Sequence, residues 1–289
     1  MNQINWDNFK VRCSAIQKVL STSKSNPVLT EKQKEKLSEL ESKPKLTDKQ
    51  QEDLAYLLVL KDNATKIVLS DSCIEYLMEA YAWEAYNKHS ISKEMDIEYT
   101  QKGKMQEEDS ITLLSRLDRA FYQKNTQRVS NDYLSGEPDL YIGDSIMSAT
   151  KITDIKSVWD YPGFLKKMNE KISPTYDNQL KGYMDITGAS EGEISYCLVN
   201  MPGTIVNDYK RRLFYKMGVV TEESPEYKLA LESLINSMYF DDIPINQRVF
   251  KVKIEPFTQH QRDMLYDRIK VCREWLHTFH EKYESLNIK

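Results

Sequence analysis

The chain has 289 residues, with 40 basic and 44 acidic side chains and a formal net charge of −4. Its 40% hydrophobic and 29% charged residues are typical of a globular protein, and its length predicts one large domain or two small ones. The longest apolar run, Leu54 to Leu60, is much shorter than the roughly 18 residues of a membrane span. The N-terminus shows no secretory signal pattern, and the four cysteines form no C-x-x-C pair, so we expect a cytoplasmic protein with reduced thiols and no membrane association.

The N-terminal third predicts helices. Residues 28–40 and 45–57 repeat one pattern, in which a Thr is followed three positions later by a Gln. This spacing is that of a capping box, so we predict a two-helix repeat over residues 28–62, within a helical N-terminal region 1–99. The repeat fits a solvated accessory hairpin, or alternatively a docking surface for a partner or DNA.

Further along the chain, Ser70 opens a predicted helix that ends near Asn87, and another helix is predicted from about Gly103 to Arg119. Short β-favouring runs then alternate with helical segments. The clearest of these runs are residues 151–159, 194–199 and 248–254, and a long amphipathic helix follows from about Thr258 to Leu286. This order predicts an α/β fold in which a mixed central β-sheet is flanked by helices, formed by residues 100–289.

Two acidic motifs carry the most chemical information. Gly136-Glu137-Pro138-Asp139 is followed fifteen residues later by Asp154-Ile155-Lys156. On a strand, Asp154 and Lys156 point to one face and Ile155 to the other. If the preceding strands form a hairpin, Asp139 approaches the same point. Two carboxylates and an ammonium would then converge, which suits Mg²⁺ and phosphate chemistry, although solvated charges on a surface strand would give the same pattern.

Two neighbouring motifs add context. Gln179 and Tyr183 lie four residues apart, and therefore on one face of a predicted helix. Upstream, Glu107 stands at the start of a predicted helix. The resulting order, Glu on a helix, Asp on a hairpin, D-x-K on a strand and Q-x-x-x-Y on a helix, resembles the PD-(D/E)xK nuclease superfamily. More narrowly, it is similar to the RecB-like and YqaJ (lambda-exonuclease-type) phage recombination nucleases, over residues 100–280.

The resemblance implies a role for each matching residue. Asp139 and Asp154 would be metal ligands, assisted by the main-chain carbonyl of Ile155, and Lys156 would be the catalytic lysine. Glu107 would complete a second metal position, with Glu108 as the alternative. Gln179 and Tyr183 would support the site and contact DNA. Many members of the family have Glu where this chain has Asp154.

The implied activity is that of a Mg²⁺-dependent DNA nuclease, with Mn²⁺ as a substitute metal. The group implies an exonuclease that processes duplex ends for recombination or repair, encoded by a phage and acting in the host cytoplasm. Its partners would be DNA and a single-strand annealing or DNA-binding protein, and a homo-oligomer is compatible with the group. The alternatives are an endonuclease on the same core and a non-catalytic DNA-binding or assembly protein that retains the fold.

Other residues leave two interpretations open. Trp159 and Tyr161 follow the D-x-K strand. Their rings could stack on nucleic-acid bases, or they could be aromatic residues of the core and its rim. The run Lys210-Arg211-Arg212 fits either phosphate contacts or a solvated charged face.

Overall fold

The computed structural model describes residues 4–21, 30–65, 67–90 and 98–286. The chain forms two compact units, each built from separate stretches of sequence. The first, here called the helical unit, comprises Met1–Phe9, Gln17–Lys88 and Arg262–Lys289. The second, the sheet unit, comprises Lys10–Ile16 and His89–Gln261. These units cut the chain at other points than the boundary expected at residue 100, which stays a prediction.

The helices in chain order are α1 (Ile16–Leu20), α2 (Glu31–Glu41), α3 (Asp48–Thr65), α4 (Asp71–Tyr86), α5 (Glu98–Met105), α6 (Glu107–Asp118), α7 (Tyr161–Asn169), α8 (Pro174–Thr187), α9 (Gly203–Met217), α10 (Pro225–Asn236) and α11 (Gln259–Leu286). The strands are β1 (Val11–Arg12), β2 (Gln123–Lys124), β3 (Val129–Ser130), β4 (Leu134–Gly136), β5 (Leu140–Ile142), β6 (Lys151–Ser157), β7 (Glu191–Cys197) and β8 (Val249–Ile254). No helix among residues 4–21, 30–65, 67–90 and 98–286 is long and apolar enough to cross a membrane.

A five-stranded sheet forms the centre of the sheet unit, with strand order β2-β5-β6-β7-β8. The β6–β7 pair is parallel and the other pairs are antiparallel, so the sheet is mixed. The chain passes from β6 to the parallel β7 through α7 and α8, as a crossover connection requires. A smaller sheet, β1-β4-β3, pairs the N-terminal segment with the strand that leads into Pro138. The predicted mixed α/β fold flanked by helices is confirmed.

The capping boxes of the N-terminal repeat are confirmed. The Gln33 N–H bonds to the Thr30 hydroxyl at 3.3 Å, while the Gln33 side chain accepts the Thr30 N–H at 2.9 Å. Thr47 and Gln50 make the same reciprocal bonds at the start of α3. Three buried leucines join α2 to α3: Leu37, Leu40 and Leu57. The first two residues of the predicted repeat, 28 and 29, lie outside the described residues.

The helix predicted over 103–119 is wrong in one respect, because the chain forms two helices there. Gln106 leaves the helical region with φ −107° and ψ 10°. The charges change sign at the same point: Lys102 and Lys104 lie in the last turn of α5, and acidic residues fill the first turn of α6. Basic residues interact favourably with the negative C-terminal end of a helix dipole, and acidic residues with the positive N-terminal end. The change in the sign of the charges therefore marks the break between the two helices.

A buried lysine ties α5 to the sheet. Lys102 is 1% exposed, and its Nζ donates to the carbonyls of Val158 and Trp159 at 2.6 and 2.9 Å and to Val199 at 3.2 Å. Val158 follows β6 and Val199 follows β7, so one ammonium fixes the chain just beyond both parallel strands. Burial lowers the pKa of Lys102 to about 8.

A substitution that removes the ammonium of this lysine but keeps the length of its side chain should destabilise the protein. Lys102→Met leaves three buried carbonyls without their donor, so the free energy of unfolding should fall by about 1–3 kcal/mol. Lys104→Met, two residues along the same helix and exposed, is the matched control and should change it by less than about 0.5 kcal/mol. Denaturant unfolding measures both. Equal effects of the two substitutions would show that the buried ammonium has no special role.

Candidate active site

The β5–β6 pair places the two predicted aspartates side by side. Leu140 pairs with Thr153, so Asp139 lies opposite the stretch of β6 that carries Asp154. The Ile155 N–H donates to Asp139 Oδ2 at 2.9 Å, which fixes the Asp139 carboxylate on the sheet. Asn125 holds the turn before it, because its side-chain amide donates to the Pro138 carbonyl at 3.0 Å.

The predicted alternation along β6 is confirmed. Lys156 Nζ lies 2.7 Å from Asp154 Oδ2, so both side chains share one face. Ile155 points to the other face, where it packs in a buried cluster with Leu113 and Leu114 of α6. One strand therefore contributes an acid and a base to the site and an aliphatic side chain to the core.

Asp154 is a buried carboxylate that shares its counter-charge with a second acid. It is 1% exposed, and the Lys156 ammonium lies 2.7 Å from its Oδ2. The same ammonium also interacts with Asp139. A buried ionised carboxylate is unfavourable unless charges or hydrogen bonds compensate it, so a further cation would offset the charge that remains when both acids are ionised.

The charges of the three groups are coupled. Burial and the neighbouring Asp154 raise the pKa of Asp139 to about 7. Burial alone would lower the pKa of Lys156, but the carboxylates of Asp154 and Asp139 together outweigh it, so the pKa of Lys156 is raised. The lysine is therefore held as an ammonium by the acids beside it.

Helix α8 covers the acidic face of β6. Gln179 Nε2 donates to Tyr183 Oη at 2.8 Å, so the two predicted residues act as a pair. Tyr183 is 6% exposed, and burial together with Asp154 raises the pKa of its phenol. Gly136 is required for this approach, because a Cβ there would lie 2.6 Å from the Tyr183 ring.

The site opens into a cleft of about 730 Å³, here called the acidic cleft. Asp139, Ile155, Lys156 and Glu107 all line it. Glu107 and Glu108 both contact Lys124 Nζ, at 3.2 and 2.7 Å. The Glu108 side chain is 73% exposed, and of the two acids only Glu107 lines the cleft.

The cleft also contains residues that sequence reasoning missed. The Tyr176 ring centroid lies 5.1 Å from Lys156 Nζ, one turn before Gln179 on α8. Lys166 and Lys167 of α7 also line the cleft. Helix α7 itself was not predicted, although Asp160 caps its N-terminus through Gly163 N at 2.7 Å and Pro162 stands in its first turn. Those two residues are the signal that would have revealed it.

Among the described residues, no group of three or more His, Cys, Asp or Glu side chains lies close enough to hold a metal ion. The acidic centre is therefore a pair of carboxylates, Asp139 and Asp154. Metal binding by Glu107 and by the Ile155 carbonyl stays a prediction.

Solved structures share this fold. A phage-related exonuclease from Haemophilus somnus 129PT matches with a TM-score of 0.58 and 20% identity, covering 96% of this chain and 97% of its own. An alkaline exonuclease from Laribacter hongkongensis, LHK-Exo, has a TM-score of 0.55 and 11% identity, with 97% and 95% covered. LHK-Exo in complex with dAMP matches with a TM-score of 0.53 and 12% identity, with 98% and 96% covered.

No family model and no curated protein matches the sequence. The solved structures establish that the chain shares the fold of these two exonucleases. The resemblance drawn from the four motifs is thus confirmed at the level of the fold.

The raised pKa of Asp139 predicts how metal-free stability varies with pH. An unfolded Asp titrates near 3.8 and folded Asp139 near 7, so the folded state binds more protons between these values. The free energy of unfolding should therefore fall as the pH rises through this window, by an amount on the order of a few kcal/mol. Asp139→Asn lacks the titrating group, so its profile should be flatter and its stability at pH 8 in EDTA higher than that of the wild type.

Thermal melts in EDTA from pH 4.5 to pH 8 measure this difference. Asp144→Asn, an exposed aspartate just after β5, is the control and should follow the wild-type profile. A profile for Asp139→Asn with the same slope as the wild type would contradict the coupling between Asp139 and Asp154.

Proposed function

We propose that this protein is a Mg²⁺-dependent DNA nuclease of the exonuclease type, which processes duplex ends for recombination or repair. One observation carries the proposal. The Asp154 carboxylate is 1% exposed, and the Lys156 ammonium 2.7 Å from its Oδ2 also interacts with the second carboxylate, Asp139. Packing alone gives no reason to bury such a group, whereas cation binding does.

The residues present fit a hard divalent cation. Mg²⁺ takes oxygen ligands and retains several waters, so Asp139, which lines the cleft, and the buried Asp154 beside it are a sufficient anchor. Asp139 and Asp154 would hold the ion, with the Ile155 carbonyl assisting. Glu107 lines the same cleft and would act on a second metal or on its water shell. A bound Mg²⁺ would offset charge on a phosphate oxygen and make a coordinated water more acidic.

The chain's own groups account for the remaining chemistry. Lys156 presents an ammonium on the face of β6 that carries Asp154, where it can orient a water and stabilise negative charge on the phosphate as the phosphodiester bond breaks. Within α8, Gln179 donates to Tyr183 Oη and would orient this phenol beside the carboxylates. Lys104, Lys166 and Lys167 line the cleft and would bind the phosphate backbone of the substrate.

The exonuclease assignment draws on the fold shared with two exonucleases. The complex of LHK-Exo with dAMP adds that one protein of this fold binds a nucleotide. An incubation with linear and with covalently closed circular duplex DNA tests the assignment directly. Degradation of the linear DNA alone supports it, and cleavage of the circle would indicate an endonuclease on the same core.

Metal binding should be measurable without any substrate. Saturating Mg²⁺ or Mn²⁺ binds only the folded state, so it should raise the melting temperature of the wild type. The same metal should leave the melting temperature of Asp154→Asn unchanged, because this variant lacks the principal metal ligand. EDTA should abolish DNA cleavage. Unchanged stability and unchanged cleavage under both treatments would contradict a metal-dependent enzyme.

Substitutions on β6 should separate metal binding from the chemical step. Asp154→Ala removes a ligand and a negative charge near the phosphate, so DNA binding should persist or tighten while cleavage is lost. Lys156→Ala leaves both carboxylates, so metal binding should persist while the single-turnover rate falls by about 10²-fold or more. Lys156→Arg should not restore the rate, because a guanidinium differs in shape and holds its protons more firmly.

Lys253→Ala is the matched control on β8, which is separated from β6 by β7, and the Lys253 side chain is 70% exposed. It should cleave at the wild-type rate. A near-normal single-turnover rate for Lys156→Ala would remove the lysine from the mechanism.

A further inference from the structure

Two cysteines lie side by side in the interior of the helical unit. Cys73 is in the first turn of α4 and Cys272 is near the middle of α11, and both are 0% exposed. Their Sγ atoms are 3.7 Å apart, and both thiols are free. A disulfide has a sulfur–sulfur distance of about 2.0 Å, so the sulfurs would have to approach by about 1.7 Å, a shift within the range of side-chain rotation.

Helices α4 and α11 also contact each other beyond this thiol pair. Eight residues after each cysteine, from 73 to 81 and from 272 to 280, the Tyr81 hydroxyl and His280 Nδ1 form a hydrogen bond of 2.9 Å. The Tyr81 ring packs edge-to-face on Phe279, with 5.0 Å between the ring centroids. The equal offsets mean that the two helices run side by side in the same direction. The contact that brings the sulfurs together is therefore fixed at two points along the helices.

A buried cation lies next to the thiols. Arg268 precedes Cys272 by one helical turn and is 9% exposed. Its guanidinium donates to the carbonyls of Val19 at 2.6 Å and Ser21 at 2.8 Å, which hold it inside the helical unit. The hydrogen bond with Cys272 outweighs the effect of burial and, together with the charge of Arg268, lowers the pKa of Cys73. Cys73 is therefore more readily present as the thiolate, which is the form that reacts with oxidants.

The other two cysteines of the chain differ from this pair. Cys13 and Cys197 belong to the sheet unit, and both are buried. Burial raises the pKa of both thiols, which disfavours the thiolate. They are therefore internal controls for the reactivity of Cys73.

The positions of Cys73 and Cys272 in the chain determine what a bond between them would do. They are 199 residues apart, and the stretch His89–Gln261 of the sheet unit lies between them in the sequence. The helical unit is thus assembled from two distant stretches of chain. A covalent bond would join those stretches and restrict the unfolded chain, and this stabilisation increases with the length of the loop that is closed.

We propose that Cys73 and Cys272 form a redox-sensitive pair, which a peroxide converts into a disulfide that joins α4 to α11. The Cys73 thiolate attacks one oxygen of hydrogen peroxide, which gives a sulfenic acid and hydroxide. The Cys272 sulfur then attacks the Cys73 sulfur, which forms the S–S bond and releases the sulfenic oxygen as water. In total, two thiols lose two electrons and two protons, and one peroxide is reduced to two waters.

The oxidised protein resists unfolding, and a dithiol restores the reduced form by thiol–disulfide exchange. Among the described residues, neither cysteine lines the acidic cleft, so the pair acts independently of the proposed nuclease site.

Treatment of the folded, reduced protein with hydrogen peroxide tests the pair. After catalase removes the peroxide, the protein is unfolded, its free thiols are alkylated, and it is digested without reductant. We expect mass spectrometry to show a peptide with Cys73 linked to one with Cys272, while Cys13 and Cys197 are alkylated. The melting temperature of the oxidised protein should be higher by roughly 5–10 °C. Only the part of this rise that dithiothreitol reverses is counted, because methionine sulfoxide requires its own reductases.

Cys73→Ala and Cys272→Ala should each abolish the reversible rise in melting temperature. Cys13→Ala is the matched control, because it removes another buried cysteine and leaves the pair intact. It should retain the full rise. If a variant of the pair does not fold, the peptide map of the wild type decides alone.

The pair is overturned if the folded wild type gives no link between Cys73 and Cys272, or if the link forms without a reversible rise in melting temperature. A rise that persists in a folded Cys73→Ala protein would also overturn it.

Discussion

The structure depends on a buried carboxylate whose counter-charge, a lysine ammonium, also serves a second carboxylate. Asp154 is 1% exposed and is compensated by one ammonium, from Lys156 two residues along the same strand. Asp139 approaches from β5 and adds a second negative charge, which raises its own pKa to about 7. Two carboxylates against one ammonium leave a site whose charge is balanced either when Asp139 is protonated or when a further cation is bound.

The surrounding elements keep this arrangement in place. The parallel β6–β7 pair sets the strand that carries Asp154 and Lys156, and the Ile155 N–H orients Asp139 across the sheet. Helix α8 comes close enough to cover the carboxylates because glycines stand at two of the points where it packs against other elements. A Cβ on Gly136 would meet the Tyr183 ring, and one on Gly182 would lie 2.4 Å from Ile16. The rigid fold thus prevents the acids from separating, which is how the unfavourable charge pair persists.

The sequence predicted the directions of side chains on β6 and α8 better than it predicted the elements around them. Period-two alternation on β6 correctly placed Asp154 and Lys156 on one face, and helical spacing correctly paired Gln179 with Tyr183. These are local patterns, which fix direction within a single element. The role of Lys102 was not predicted, because its three carbonyl acceptors follow strands 56–97 residues away in the chain.

The short strands were hidden for a similar reason. Strand β1 has two residues, and its parallel pairing of Val11 with Leu134 has no local signature. Glu107 and Glu108 could not be distinguished by sequence, since either begins a helix equally well. The structure distinguishes them by exposure, with the Glu107 side chain 35% exposed and that of Glu108 73% exposed.

The central claim is that Asp139 and Asp154 form a cation site. The most direct test is a titration of the metal-free protein with Mn²⁺, in which electron paramagnetic resonance reports the free ion. We predict that the wild type removes Mn²⁺ from solution at pH 7.5, and that folded Asp139→Asn and Asp154→Asn proteins bind it at least about tenfold more weakly. Wild-type affinity in both variants would contradict the account.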